Sequence, residues 1–336
     1  MIEGMHAGLG TRAEDQMYSV YNLTPNMWEE PWVSHLLGDL PISRYEVRDL
    51  WSPPPAAPRK RRVTIFLESL IPSPLRPTRR RIRRVLRPHD HCICIYNTWG
   101  LDHAVRRELG RILSHFDDVG IVSVDEPTRD SKQAYEKVTF AVRVGFDAEK
   151  YRGTSSLMVV PLGVPKNFVR PRSTTSITDR RFVWSFLGEV KNSSRRNMVE
   201  QLERVRGDSF VHSITTWNAD DSIRGMGYSD IIADSVFVPS PPANVHRECY
   251  RTYEALECDA IPVVDTDYYR RAFGAPFPIV QSDWADAPQI LNTLLDDTQS
   301  LEKVHQECRS WWQTAKTDYP RRISALAEAS RARHDA

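Results

Sequence analysis

Two short segments of the sequence carry side chains whose types and spacing suit nucleotide binding. In the first, Arg251 and Glu254 lie three residues apart at the start of a predicted helix, so both project from one helix face. A carboxylate such as that of Glu254 can accept hydrogen bonds from two neighbouring hydroxyl groups, as on a ribose. The Arg251 guanidinium can pair with Glu254 or bind a phosphate bidentately. An ordinary surface ion pair, contributing about 0.3 kcal/mol, is the alternative.

The second segment follows the apolar run at residues 182–187. Gly188 ends the run, and a glycine there lets the backbone approach a ligand closely. Ser193 and Ser194 can cap the helix that follows, which leaves amide donors and the helix dipole directed at an anion. Three cationic side chains are interspersed: Lys191, Arg195 and Arg196. The segment therefore predicts a diphosphate site, with a capped helix and solvated arginines as the alternative.

The loop before the Glu254 helix adds two polar residues. Ser240 and Asn244 could contact a sugar or a pyrophosphate, and they could equally be turn residues, which is their usual role. Because loops at the carboxyl ends of parallel strands line the ligand crevice of doubly wound sheets, we include Ser240 among the donor-binding residues.

Carboxylates follow an apolar run in the N-terminal half as well. Asp125 and Glu126 come directly after the predicted strand at residues 120–124, where ligands bind in doubly wound sheets. Asp102 and His103 follow the predicted strand at residues 91–96 in the same way. A positioned carboxylate or histidine can take a proton from a reacting hydroxyl. Each of these residues could instead cap a helix or form a turn.

Metal chemistry is not indicated. His89 and His91 alternate ahead of a strand, but no further ligand lies near them in the sequence, so we interpret them as structural. The cysteines have no zinc-binding spacing, and their odd number favours reduced thiols: Cys92, Cys94, Cys249, Cys258 and Cys308.

Strands alternate with helices along most of the chain, which predicts parallel sheets. The first series has predicted strands at 63–67, 91–96, 120–124, 138–144 and 157–161, and a helix at 101–116. A polar stretch at 170–181 without periodicity indicates a linker. The second series has strands at 182–187, 209–216, 236–238, 260–264 and 277–281, with helices at 195–206, 228–234, 287–295 and 301–329.

The length of 336 residues favours two domains, since one hydrophobic core rarely grows that large. We expect an N-terminal acceptor-side domain at residues 1–165, a linker at 166–181 and a donor-binding domain at 182–336. Apolar residues make up 40% of the chain and the net charge is +1, so a soluble globular protein without an overall bias toward nucleic acid or membrane is expected.

The second half resembles the donor-sugar half of exostosin-type glycosyltransferases. The resemblance rests on four residues at and after the end of the first strand, Phe186, Gly188, Arg195 and Arg196. It also rests on a later set of residues in the family's order: Ser235, Phe237, Pro239, Arg251, Glu254, Ala255, Cys258, Pro262 and Val263. The N-terminal half is loosely similar to the branch containing ribitol-phosphate xylosyltransferases, through Asp125-Glu126 and the later Pro161-Leu162-Gly163.

The resemblance implies an α/β protein of GT-B architecture, with two doubly wound Rossmann-like domains facing each other across a cleft. It also implies an inverting, metal-independent glycosyltransferase. The donor would be a UDP-sugar, xylose or another, and the acceptor a hydroxyl of a glycan that could be anionic. Asp125, Glu126 and Asp102 are then the candidate bases, and no cofactor is required. A nucleotide-sugar hydrolase or epimerase of the same fold is an alternative.

Basic runs between Arg59 and Arg87 offer a different function, the binding of a polyanion or nucleic acid. A solvated basic face is the simpler interpretation, so nucleic acid is not expected as a partner. No apolar run is long enough to span a membrane, and an export signal is not visible. The sequence as given therefore favours a cytoplasmic protein, and a Golgi protein if an N-terminal anchor is missing from it.

Overall fold

A computed structural model describes residues 18–22, 28–40, 42–46, 91–96, 118–124, 138–145, 157–214, 222–243, 247–274 and 277–334. The described residues form two parallel β-sheets with helices packed against them, as the alternation of elements predicts. The predicted strand at 63–67, the predicted helix at 101–116 and the arginine runs lie outside the described residues, as do His89, His103 and Asn244.

The N-terminal sheet has the strand order β2-β1-β3-β4-β5-β6, and all its pairings are parallel. Strands β4 and β5 are buried along their whole length, which is why they read as continuous apolar runs. The elements of this half are β1 (Tyr18–Asn22), α1 (Glu30–Leu36), β2 (Ile42–Glu46), β3 (His91–Tyr96), β4 (Asp118–Val124), β5 (Phe140–Val144) and β6 (Leu157–Val160).

The C-terminal sheet has the order β11-β10-β9-β7-β8, again with parallel pairings. Its first strand, β7, lies between β8 and β9, so the strand order reverses there and leaves a crevice at the carboxyl ends. The elements are β7 (Phe182–Glu189), α2 (Ser193–Leu202), β8 (Ser209–Ile214), α3 (Gly225–Ala233), β9 (Ser235–Pro239), α4 (Tyr250–Glu257), β10 (Ile261–Val264), α5 (Tyr268–Phe273), β11 (Val280–Gln281), α6 (Ala287–Asp296) and α7 (Thr298–His334).

Helix α7 joins the two halves. Near its middle, the Trp312 indole N–H donates to Glu257 Oε1 on α4 (3.0 Å), and the Trp312 ring stacks on Trp32 of α1. Farther along, the Tyr18 hydroxyl on β1 donates to the Ala327 carbonyl at 3.0 Å. The chain therefore returns to the N-terminal sheet after completing the C-terminal one.

Helix α7 also contains Pro320, which has no N–H to donate to the carbonyl of Lys316 four residues earlier. That carbonyl instead lies 2.8 Å from Nε2 of His35 on α1. Because a carbonyl only accepts, the His35 nitrogen must carry the proton. In the part of the chain that the structure describes, α7 and the other helices include none that is both long enough and apolar enough for a membrane span.

Several element boundaries differ from prediction. Helix α2 begins at Ser193, two residues before the predicted start, and ends at Leu202. The serines do not cap it: Asn192 is the N-cap, and its side-chain oxygen accepts from the Arg195 backbone N–H at 2.8 Å. The last strand contracts to β11, and β1, α1 and α5 were not predicted.

Candidate active site

The carboxyl ends of β7, β9 and β10 lie side by side, and helices α2 and α4 begin near this edge. The first two turns of α4 carry Arg251 and Glu254, which are 7% and 9% exposed respectively. Charged groups are seldom so buried without specific partners, so their surroundings indicate what the site is built to hold.

Arg251 is seated on the end of β7. Its Nη2 donates to the Leu187 carbonyl oxygen at 2.9 Å, and its guanidinium lies over the Phe186 ring with 4.6 Å to the ring centroid. A β-carbon at Gly188 would stand 2.8 Å from the same Nη2. Phe186 thus supplies a ring, Leu187 a carbonyl oxygen, and Gly188 the space that a side chain would fill. Together these three features fix the position of the Arg251 guanidinium.

Arg195, on the first turn of α2, lies close to Arg251. Its Nη1 donates to the Glu189 carbonyl at 3.0 Å, which turns the guanidinium toward the same strand end. Burial lowers the pKa of Arg195, and repulsion by the Arg251 cation lowers it further. The two guanidinium groups thus donate to carbonyls of Leu187 and Glu189, both at the end of β7.

Both guanidinium groups retain an unused donor. The Nε atoms of Arg195 and Arg251 are buried and have no hydrogen-bond partner. Neither arginine forms a salt bridge within the described ranges. Each Nε atom can therefore donate to an anion, which would also offset the repulsion between the two cations.

Glu254 is held by a residue that sequence reasoning did not assign to the site. The Tyr228 hydroxyl on α3 donates to Glu254 Oε2 at 2.6 Å. Burial raises the pKa of Glu254, while the hydrogen bond from Tyr228 and the charge of Arg251 oppose that rise. Burial also raises the pKa of Tyr228, which keeps its hydroxyl protonated and donating. Since one oxygen is used by Tyr228, the other can accept from a ligand hydroxyl.

The remaining predicted donor residues lie at the margins of this arrangement. Lys191 is exposed and pairs with Glu189 at 2.5 Å, and the exposed Arg196 reaches the Lys191 carbonyl at 3.4 Å. Ser240 is buried, and its hydroxyl bonds with that of Thr252 at 2.8 Å, so it connects β9 to α4. The structure thus brings four predicted residues together: Gly188, Arg195, Arg251 and Glu254.

The candidate bases Asp125, Glu126 and Asp102 lie outside the described residues. Val124, the residue before Asp125, ends β4 at the carboxyl edge of the N-terminal sheet. Within the described ranges, there is no group of three His, Cys, Asp or Glu residues that could hold a metal ion.

Glu248, just before α4, is a second buried carboxylate that the sequence analysis did not identify. It accepts hydrogen bonds from the Leu162 backbone N–H at 2.8 Å, from the Tyr268 hydroxyl at 2.9 Å and from the Tyr253 hydroxyl. Burial raises the pKa of Glu248 to about 7, although these hydrogen bonds act to lower it. Glu248 fixes the Pro161-Leu162-Gly163 segment against the start of α4, so the Arg251 helix is also tied to the N-terminal half.

Comparisons with known proteins agree with this geometry. Residues 166–328 match the family model described as the RXYLT1 C-terminal domain. Ribitol-5-phosphate xylosyltransferase 1 from Mus musculus is 29% identical over 198 residues, covering 51% of this chain and 44% of that protein. The Homo sapiens protein of the same name is 27% identical, with the same coverage of both chains. The match therefore spans about half the length of this chain and less than half of these relatives.

Among solved structures, a sucrose-phosphate synthase from Thermosynechococcus elongatus aligns with a TM-score of 0.56. The alignment covers 94% of this chain and 99% of that one at 11% identity, which is evidence for the fold alone. The predicted GT-B architecture and the resemblance to exostosin-like glycosyltransferases near the ribitol-phosphate xylosyltransferase branch are both confirmed.

Proposed function

We propose that this chain, with its exostosin-like donor half, is a glycosyltransferase that moves a sugar from a UDP-linked donor to a glycan hydroxyl. The observation that carries the proposal is the pair of neighbouring guanidinium groups of Arg195 and Arg251, beside the buried carboxylate of Glu254. A nucleoside diphosphate offers an anion and a pair of vicinal hydroxyls, and these two features match the two parts of the site.

The roles follow from the charges. Arg195 and Arg251 bind the diphosphate and stabilise the negative charge that grows on it as the glycosidic bond breaks. Glu254 accepts hydrogen bonds from the ribose hydroxyls, with Tyr228 holding its second oxygen. Fixed cations can carry the leaving-group charge, so we propose transfer that does not depend on a metal.

The curated relatives are named for transferring xylose to ribitol 5-phosphate. By similarity we propose xylose as the first sugar to test, and a glycan carrying a phosphorylated polyol as the first acceptor. We propose inversion at the anomeric carbon, with Asp125 or Glu126 as the base and Asp102 as the next candidate. The first two directly follow the carboxyl end of β4, the edge at which doubly wound sheets bind ligands.

We also propose the division into an acceptor-side domain at 1–165, a linker at 166–181 and a donor-binding domain at 182–336. Several contacts cross this division, and near the end of α7 they include Tyr18 with Ala327, and Ser330 Oγ with Asp118 Oδ1 at 2.8 Å. The end of α7 is therefore a C-terminal segment that packs on the first domain.

The test is calorimetric titration of UDP into the wild-type chain and into the Glu254→Ala variant. We expect saturable UDP binding that the variant loses, because a carboxylate that pairs with two hydroxyls supplies about 1.5–3 kcal/mol per charged hydrogen bond. Asp179→Asn, an exposed change on the 3₁₀ turn at Ile177–Asp179, is the control. UDP affinity equal in the wild type and in Glu254→Ala would contradict the assignment.

The reaction itself is tested by mass spectrometry of an incubation with UDP-xylose and a ribitol-phosphate glycan. A product heavier by one pentose supports transfer. Free xylose without such a product would indicate a hydrolase, and an isomerised UDP-sugar would indicate an epimerase.

A further inference from the structure

Cys249 differs from the other cysteines of the chain in its exposure. It is half-buried at the N-cap of α4, whereas Cys92, Cys94, Cys258 and Cys308 are buried. Burial also raises the pKa of Cys258 and of Cys308, which keeps those thiols protonated. Because a thiol reacts with a reagent in solution only where the reagent can reach it, Cys249 is the cysteine to expect in such a reaction.

The fold fixes the backbone of Cys249, and the thiol does not cap the helix that begins there. The Cys249 N–H donates to the Tyr269 hydroxyl at 3.2 Å, and the Cys249 carbonyl accepts from the Thr252 N–H at 3.2 Å. The side chain makes no capping hydrogen bond with α4. The residue is therefore held in place by its backbone, and its sulfur atom is not needed for that.

Two cationic groups lie within electrostatic reach of the Cys249 thiol. Burial and the Arg251 cation lower the pKa of Arg195, and interaction with the Cys249 thiolate opposes them. Burial also acts to lower the pKa of Arg251, but interactions with Tyr228 and with Cys249 raise it overall. Arg251 is 7% exposed, and its buried Nε has no hydrogen-bond partner, as is true of the Arg195 Nε. Cys249 thus lies beside two guanidinium groups that each have a donor left for an anion.

These observations favour a reagent that carries a reactive sulfur and carboxylates in one small molecule. Glutathione disulfide is of this kind. The Cys249 thiol gives up its proton, and the thiolate attacks one sulfur of the disulfide. A new S–S bond joins Cys249 to one glutathione, the original S–S bond breaks, and the other glutathione leaves as a thiolate that takes up the proton. The carboxylates of the attached glutathione can then pair with the guanidinium groups.

We propose that Cys249 is a reversible modification site, at which a small anionic thiol delivered as its disulfide occupies the guanidinium pair in place of the donor diphosphate. The modification depends on the cysteine and the two arginines alone. Its consequence, the loss of donor binding, rests on the proposed function. An oxidised pool of small thiols would then switch donor binding off, and a reducing thiol would restore it by the reverse exchange.

The first measurement compares two disulfide reagents that differ in charge. The chain is treated with dithiobis(nitrobenzoate), an anion, or with dithiodipyridine, which is neutral, and the released thiol is followed by its absorbance. We expect both to react first at Cys249. The rate with the anionic reagent, divided by the rate with the neutral one, should fall about tenfold in Arg195→Gln. Arg204→Gln, the same change at an exposed position beyond the other end of α2, is the matched control and should leave this ratio unchanged.

The second measurement uses glutathione disulfide itself. Mass spectrometry of the digested chain locates the adduct, and calorimetric titration measures UDP affinity before and after the reaction. We expect glutathione on Cys249, removal of the adduct by dithiothreitol, and UDP affinity at least about tenfold weaker while the adduct is present. Cys249→Ser should bind UDP as the reduced wild type does, and should keep that affinity after the same treatment.

The outcomes also separate this proposal from the proposed function. No adduct on the native chain, an adduct that forms first on a buried cysteine, or a rate ratio unaffected by Arg195→Gln would overturn the modification site. UDP affinity unchanged by the adduct would overturn its placement on the guanidinium pair. If the wild type does not bind UDP, the proposed function fails, and charge-dependent reaction at Cys249 still supports the modification site. The wild-type measurements need no variant, and circular dichroism checks the fold of each variant used.

Discussion

Replacing Tyr228 with Phe should weaken recognition of the ribose without removing the anion site. The change deletes the hydroxyl that donates to Glu254 Oε2 at 2.6 Å and leaves the ring in place. A hydrogen bond to a charged group contributes about 1.5–3 kcal/mol, which corresponds to roughly 10- to 150-fold in affinity. Part of that loss should appear in ligand binding, because an undirected carboxylate holds the ribose hydroxyls less well.

The pH dependence gives the second readout. Burial already raises the pKa of Glu254, and the Tyr228 hydrogen bond opposes the rise. In Tyr228→Phe the pKa should therefore rise further, so more of the carboxylate is protonated at a given pH. The ionised carboxylate is the better acceptor, so UDP affinity should decrease as the pH is lowered. The decrease should begin at a higher pH in the variant than in the wild type.

The assay compares UDP with 2′,3′-dideoxy-UDP by calorimetry between pH 5 and 8. The wild type should prefer UDP, and Tyr228→Phe should narrow that preference about tenfold. Tyr319→Phe is the matched control, since Tyr319 is buried and its hydroxyl has no hydrogen bond within the described ranges. An unchanged preference for UDP and an unchanged pH profile in Tyr228→Phe would refute the reasoning.

Three further changes test other parts of the structure. Gly188→Ala places a β-carbon 2.8 Å from Arg251 Nη2 and should displace the guanidinium. UDP affinity should then drop about tenfold while the circular dichroism spectrum stays unchanged. Wild-type UDP affinity in this variant would contradict the position assigned to Arg251. Glu248 has a pKa of about 7 in the fold, above its unfolded value. Its contribution to the free energy of unfolding is therefore fully present below pH 4.5 and is lost as pH rises through 7. The total decrease is about 3 kcal/mol. The free energy of unfolding, measured with urea as a function of pH, should show that decline in the wild type and not in Glu248→Gln. Parallel pH dependences in the two proteins would disprove this role of Glu248. Asp125→Asn or Glu126→Gln should slow transfer at least 100-fold with UDP affinity retained, and full turnover in both would exclude them as the base.

The sequence was most informative where buried strands impose an apolar run. Strands β4, β5, β9 and β10 are covered on both faces, and their predicted positions agree with the structure to within about two residues. Strand β1 was missed because its Tyr-Ser-Val-Tyr-Asn sequence is short and half polar, so its pairing depends on β2 and β3 rather than on local pattern.

The sequence predicted those residues of the candidate site whose position follows from local sequence, and it missed the contacts between distant residues. Arg251, Glu254 and Gly188 stand at strand and helix ends, where position along the chain already indicates the sheet edge. The contact of Tyr228 with Glu254 joins residues 26 apart, and that of Glu248 with Leu162 joins residues 86 apart. Both depend on how helices pack on the sheet, which no spacing rule encodes.

The interrupted hydrogen bond in α7 has a consequence for the stiffness of that helix. Before Pro320, the helix contacts α4 through Glu257 and α1 through Trp32, and after it the helix contacts β1 through Tyr18. Pro320 removes one backbone hydrogen bond between these attachments, so bending costs least there. The segment of α7 that packs on β1 should therefore bend relative to the rest of the helix near residues 316–320, and the His35 hydrogen bond to Lys316 is the contact that such bending would first lengthen.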